Sequence, residues 1–347
     1  MEKVDYLIIG LGIAGLSFAK HCLDHGKSFK IITDQQNKAS HIAAGMYNPI
    51  ILFRFTAIHR AEEQMTELKQ TFAEFESLLD KKLIYPKKIY RIFANQYEAD
   101  IWKKKIPKKP ILQQYLNSEV IPNTFNSIHA PFGFGEVMHS GWLDMSLLID
   151  SFKEKFEDQI VYESFDYSEL DIKDKIYKNI QAENIVFAEG VKVDHNPWFN
   201  YLPIIKSKGE ILILKIEQEL PDIIFKSKNF LMPIDNQIYY VGATYDKDFK
   251  TAEPTEENKE LLLEKLATYY KGDYEVLAHL AAFRPTVIDR RSIIGEHPEI
   301  PGIFVLNGMG TRGSFNGPSL SKYLFQYIEF NKEIPEEYDV NRFNDLR

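Results

Sequence analysis

The sequence is short of cysteine, of clustered histidine and of long apolar runs, and each shortage removes a class of protein. One cysteine in 347 residues, Cys22, offers no partner for an intrachain disulfide, no CxxC dithiol and no cysteine-rich zinc site. A reducing cytoplasm suits such a chain. Cys22 falls at helical spacing from Phe18 and Ala19, which marks it as a small buried residue rather than a reactive thiol. His41, His139, His279 and His297 are scattered, and no Ser/His/Asp or metal-binding constellation surrounds them. No window reaches the roughly eighteen apolar residues of a membrane-spanning helix, so no membrane partner is expected. The nearest run, residues 6–19, is flanked by Glu2 and Asp5 and studded with glycine, and no small-residue cleavage site follows it. It reads as folded protein.

Positive charge is outnumbered by negative. A formal net charge of -8 opposes contact with nucleic acid. Residues 81–109 run the other way, with nine lysines and Arg91 against Glu98 and Asp100. Tyr85, Tyr90, Phe93, Tyr97 and Trp102 are interleaved with those lysines. Such a composition suits a surface that tracks a phosphate backbone and stacks bases, so tRNA is a possible partner. It equally suits a solvated lysine face over a buried aromatic stripe, and that second reading is preferred.

The length exceeds what one hydrophobic core usually serves, and two lobes are expected. Residues 4–34 read as strand, glycine turn, helix and strand, one βαβ unit. Met65, Leu68, Phe72, Phe75 and Leu79 recur at three or four residues, predicting a helix over 60–79. Residues 83–140 are rich in proline, aromatic and β-branched types and predict an inserted β-rich lobe. Helices are expected at 145–156 and 256–270, a strand at 185–190 and short strands across 209–245. The end of the chain again reads as strand, glycine-rich turn and helix, with Pro318 and Ser319 at the helix start. The expected fold is α/β: a Rossmann-like dinucleotide-binding domain from residues 1–82, 141–206 and 285–347, and an inserted mixed β-sheet, α+β substrate domain from 83–140 and 207–284.

The βαβ unit carries the strongest signal. Gly10, Gly12 and Gly15 form G-x-G-x-x-G between a strand and a helix, and Asp34 ends the next strand. Bare backbone at that turn can approach a pyrophosphate, which amide groups at the helix N-terminus then hold, Ile13 and Ala14 among them. Asp34 is placed to accept hydrogen bonds from an adenosine ribose. FAD and NAD share that adenosine diphosphate half, so the motif alone does not separate them.

Five further segments, SHIAAGMYNPI (40–50), IVFAEG (185–190), YYVGATYDKDF (239–249), AAFRPTVIDRRSIIG (281–295) and FVLNGMGTRGSFNGPSL (304–320), follow in an order that resembles the D-amino-acid oxidase-like family of FAD enzymes. The likeness spans nearly the whole chain and is nearest to the family's glycine oxidases and to its oxidases of tRNA wobble-uridine modification. It implies an FAD-dependent oxidoreductase that takes a hydride equivalent from a small amine or amino acid, with O2 as the expected acceptor. Ser40, Ala43, Ala44 and Gly45 would line the flavin, and Ala188 and Gly190 would lie near the adenine half. Gly308, Gly310, Thr311, Arg312, Gly313 and Ser314 would place a helix N-terminus and a full positive charge at the flavin pyrimidine. Arg284 would hold a substrate carboxylate through two parallel hydrogen bonds, the alternative being a structural ion pair with Asp289. Tyr245 would close the pocket. Cys22 lies far from the site where some relatives attach flavin covalently, so dissociable FAD is expected, with His41 the other candidate link.

Overall fold

In the computed structural model, which describes residues 1–34 and 39–346, the chain opens as the glycine spacing requires. Strand β1 (Glu2–Ile9) turns at Gly10 into helix α1 (Ile13–Asp24). After Gly26, left-handed at φ 64°, strand β2 (Phe29–Thr33) returns parallel to β1. On the other side of β1 runs β3 (Ile180–Phe187), also parallel, with Ile9 level with both Ile32 and Phe187. Leu7, Ile8, Ile31, Ile185 and Val186 are fully shielded, as they must be in strands covered on both faces. Cys22 is fully buried on α1, and that burial drives its thiol pKa well up, so it is the packing residue expected.

After β2 come a four-residue helix α2 (Ala39–Ile42) and the long α3 (Ala61–Leu79). All five apolar residues of the α3 repeat are buried, and Asp80 ends the helix in the left-handed region. The stretch 83–140 does contribute strands, but it also holds a helix that the sequence reading overlooks, α4 (Gln96–Lys105). Asn95 caps it by accepting a hydrogen bond from the Glu98 amide at 2.9 Å, and Ala99 and Trp102 anchor its inner face. Prolines and lysines on either side mask that short signal. Helix α5 (Met145–Lys155) then packs near α2 and α3.

In the second sheet β4 (Ile204–Lys215) lies between β5 (Ile238–Gly242) and the edge strand β6 (Glu275–Val287). It continues through strands at 230–235, 223–226, 88–92, 134–137 and 116–121, so two separate stretches of sequence build it. Strands 223–226 and 88–92 pair parallel and the rest antiparallel, giving the mixed sheet expected. Helix α6 (Glu256–Ala267) covers one face, with Leu262 and Leu266 against Leu212, Leu214 and Val241. Each such side chain contributes roughly 1.5–3 kcal/mol on burial. The helix stops before residue 270 because Tyr269 and Tyr270 turn into that core.

The chain then returns to the first sheet as β7 (Ile303–Asn307), parallel to β3, and ends in α7 (Gly313–Phe330). This helix starts five residues before the expected Pro318, which lies inside it. Much of the glycine-rich run is therefore helical. A proline this early removes only one backbone donor, near an end already short of acceptors. Gly313 and Gly317 explain the early start, since each lies against Ile13, where a side chain would crowd the α1–α7 contact. One consequence positions everything that follows: β1, β2, β3 and β7 run parallel, and their carboxyl ends release Gly10, Asp34, Ala188 and Gly308 along one edge of the sheet.

Candidate active site

The edge of the first sheet is built from backbone. Gly10 has φ 109°, and a Cβ there would overlap the Ala188 carbonyl, so glycine is obligatory where the first turn meets the loop after β3. Gly15 is equally confined, with the Gly10 carbonyl where its Cβ would be. Gly12 caps α1 without a side chain, and Ile13 and Ala14 form its buried first turn. Ser40 is brought to the same place, accepting a hydrogen bond from the Ile13 amide at 3.0 Å. The groove suits a dinucleotide: a helix N-terminus whose own cap residue is a glycine, backbone on two sides and no bulky side chain at the turn.

The other predicted residues assemble around it. Asp34 forms an ion pair with Lys192, and Ser164 donates to it at 3.4 Å. Ala43 and Ala44 follow α2, and Gly45, at φ 61°, lies against the Leu143 carbonyl. Gly190 presents its carbonyl to the Asn307 side chain at 2.9 Å, and Asn307 also accepts from the Gly308 amide, so one buried amide links the β3 and β7 loops. Gly308 and Gly310 are left-handed at φ 76° and 57°. Thr311 is exposed, and Ser314 sits in the first turn of α7 beside Gly313. Helix α7 has no side-chain cap from its N-cap residue, and its start is packed on the start of α1, so two helix N-termini share one region. Between Ala188 and Gly190, the buried Glu189 accepts hydrogen bonds from Tyr167 and Asn196. Burial pushes its carboxyl pKa up to about 7.

Two arginines come from neighbouring elements, Arg312 at the start of α7 and Arg284 on β6. Arg312 donates to the carbonyls of Asn48 and Ile50, at 3.1 and 3.4 Å, and so ties the α7 start to the segment after α2. Arg284, on β6, donates to the Thr244 carbonyl at 3.1 Å. Burial lowers both guanidinium pKa values, and among the described residues no carboxylate acts on either. Asp289 is not the partner of Arg284: it pairs with Arg342 at 3.2 Å. Arg284 lies opposite Ser207 on β4, its guanidinium against Gly209, where a Cβ would displace it. Tyr240 and Tyr245 lie within electrostatic reach of that guanidinium. Tyr240 is buried, whereas Tyr245 is 45% exposed, at the rim. The bridge between Thr286 and Met309 joins the arginine strand to the loop before α7.

Sequence reasoning missed Gly209, Tyr240, Thr244, Lys192 and Asn307. Tyr240 and Thr244 flank a VGA run already singled out, while nothing local marks Gly209. His41 lies 3.0 Å from Asp150 on α5. In the stretch 81–109, Phe93 and Trp102 are in the core, Tyr85 stacks on Trp142 and Tyr90 joins Phe134 and Phe225. Only Tyr97 of the five aromatics is largely exposed. Lys87, Lys88 and Arg91 are paired with Asp222, Glu136 and Glu98. The stretch is thus the lysine face over buried aromatics. Among the described residues no helix is long and apolar enough to cross a membrane, and no metal-binding group forms.

Comparison with known proteins gives a consistent picture. The family model described as DAO, FAD dependent oxidoreductase, matches residues 5–327. The tRNA 5-methylaminomethyl-2-thiouridine biosynthesis bifunctional protein of Marinobacter nauticus is 20% identical over 351 residues, covering 93% of this chain and 55% of that one. Its counterpart in Legionella pneumophila is 22% identical over 374 residues, covering 94% and 54%. The chain thus spans about half the length of these relatives. Among solved structures, iminodiacetate oxidase from Chelativorans sp. BNC1 matches at TM-score 0.81 and 18% identity, covering 96% of this chain and 98% of that one. Glycine oxidase from Geobacillus kaustophilus matches at TM-score 0.81 and 18% identity, covering 99% and 98%.

Proposed function

The chain belongs to the DAO family of FAD-dependent oxidoreductases, and from that premise we propose that it oxidises the C–N bond of a small amino acid or N-substituted glycine. One observation carries the substrate class. Arg284 is a mostly buried cation with a single carbonyl partner and no acid beside it among the described residues. A buried charge without a counterion is costly, and a substrate carboxylate would relieve that cost through a bidentate contact.

The remaining residues take roles that fit their places. Gly10, Gly12, Ile13, Ala14 and Gly15 would bring the α1 amides to the pyrophosphate, Asp34 would hold the ribose, and Ala188 and Gly190 would lie by the adenine half. Ser40, Ala43, Ala44 and Gly45 would line the flavin. Gly308, Gly310, Thr311, Gly313 and Ser314 form its pyrimidine end, where Arg312 and the α7 N-terminus favour negative charge. When bound, FAD supplies the hydride acceptor. Arg284 orients the amine by its carboxylate, and Tyr245 shields it from water at the rim. We also propose the domain division expected from the sequence, with the arginine on the substrate side.

Purified holoprotein should be yellow, bleach anaerobically with a carboxylated amine and form peroxide in air. Arg284→Ala should keep FAD and lose that bleaching; unchanged kinetics would retire the carboxylate site. A second substrate, the carboxymethylaminomethyl group of a tRNA wobble uridine, draws on the exposed Lys103, Lys104, Lys108 and Lys109. It requires salt-sensitive tRNA binding that Lys103 and Lys104 substitutions abolish.

A further inference from the structure

Helix α2 is four residues long and has no buried side chain. Apart from the half-buried Ile42, which packs against the main core, its side chains do little to fix it, although it leads directly into the segment 43–45. Polar ties add to that packing. On one side Ser146 of α5 donates to the His41 carbonyl at 2.9 Å, and the His41 ring lies 3.0 Å from Asp150. On the other side the Tyr240 hydroxyl donates to the Ile42 carbonyl, a contact that joins the two sheets' territories across 198 residues of sequence.

Tyr240 is built for that contact. It lies opposite Ile213 on β4, and Arg284 lies opposite Ser207. Residues 207, 209, 211 and 213 share one face of β4, so Tyr240, Gly209 and Arg284 share it too. The ring is 7% exposed and stacks on Phe230, 5.7 Å away at 17°. Burial raises the phenol pKa, so the hydroxyl stays a donor. The same face thus carries the cation for the substrate and the strut to the helix beside the proposed flavin segment.

We propose that Tyr240 is a positioning residue for the oxidation: its bond to Ile42 sets the spacing between Arg284 and residues 43–45, coupling carboxylate binding to FAD binding. This rests on the carboxylate reading of Arg284. Positioning of this kind is sensitive, because reacting atoms must be held within a fraction of an ångström.

The test is thermodynamic and needs no turnover. FAD affinity of the stripped protein is measured by flavin fluorescence with and without saturating acetate, a carboxylate that cannot be oxidised. In the parent, acetate should tighten FAD binding by about tenfold, within the usual range of coupled sites. Tyr240→Phe keeps the ring stack and removes only the hydroxyl; it should cut the acetate effect below about twofold while both ligands still bind. Retention of the full effect in Tyr240→Phe, or no effect in the parent, overturns the proposal. A lower melting temperature with the coupling intact also overturns it, since that is a structural role alone. Arg284→Ala should abolish the acetate effect. If instead it keeps that effect, the carboxylate reading fails, whereas a normal Arg284 result with full coupling in Tyr240→Phe sinks only the strut.

Discussion

The two faces of strand β4 treat charge in opposite ways. On the α6 side, Lys208 and Glu210 are 1% and 0% exposed and 2.8 Å apart. His279 lies 2.8 Å from the same carboxylate, and Thr255 and Asn258 donate to it. Lys208 also donates to the Glu253 carbonyl. Every charge there has its opposite. On the other side, one residue away in sequence, Gly209 supports Arg284, a cation with no anion among the described residues. A filled buried network specifies structure, and an unfilled one leaves a binding opportunity. The burial of a charge says little until its partners are counted.

That contrast can be broken experimentally. Glu210→Ala should have the largest effect, stranding Lys208 and costing about 3–5 kcal/mol of stability, read by urea unfolding. Arg284→Ala should leave stability nearly unchanged and lower kcat/KM for a carboxylated amine by about 10²–10³, the loss of a buried charge contact. If the two results were exchanged, the assignment of the faces would be inverted. Gly209→Ala should raise KM about tenfold, roughly 1.4 kcal/mol, as the added methyl lifts the guanidinium. Tyr245→Phe, at the exposed rim, should change either constant by about twofold at most.

Two buried glutamates sharpen the same comparison through pH. Burial raises the Glu210 carboxyl, but hydrogen bonds from Lys208, Thr255 and Asn258 outweigh it, so its pKa is lowered overall. Its contribution is present above the unfolded glutamate pKa and is lost on acidification below it. Glu189 behaves oppositely. With its pKa raised from 4.5 to about 7, the folded state binds its proton more tightly, and stability falls as pH rises between those values. Melting temperatures of Glu189→Gln against the parent from pH 4.5 to 8 should diverge upward for the variant. Parallel curves would show that Glu189 is solvated.

Local chemistry made part of this legible beforehand. Gly10, Gly12, Gly15 and Asp34 act within one βαβ unit, so spacing alone places them, and the α3 repeat reads directly as a buried face. Arg284 and the segment 40–45 were placed through resemblance rather than pattern. Gly209 and Tyr240 were not legible, because their meaning depends on register. Gly209 matters only because β4 and β6 pair so that a residue 75 positions later lies over it, and the Tyr240 contact spans both sheets. Helix α4 was hidden by neighbouring prolines, although its asparagine cap was in view. The α7 start was misplaced by giving Pro318 more weight than the packing of Gly313 and Gly317 on Ile13.

The contact between α1 and α7 also bears on biogenesis. The Ser321 hydroxyl reaches the Ala14 carbonyl at 3.3 Å, and Phe325 packs edge-on to Phe18. During translation the first glycine turn leaves the ribosome some three hundred residues ahead of the helix that covers it. On the cofactor reading proposed above, a nascent chain would form the first glycine turn early but complete the paired α1–α7 groove only once residue 330 has emerged.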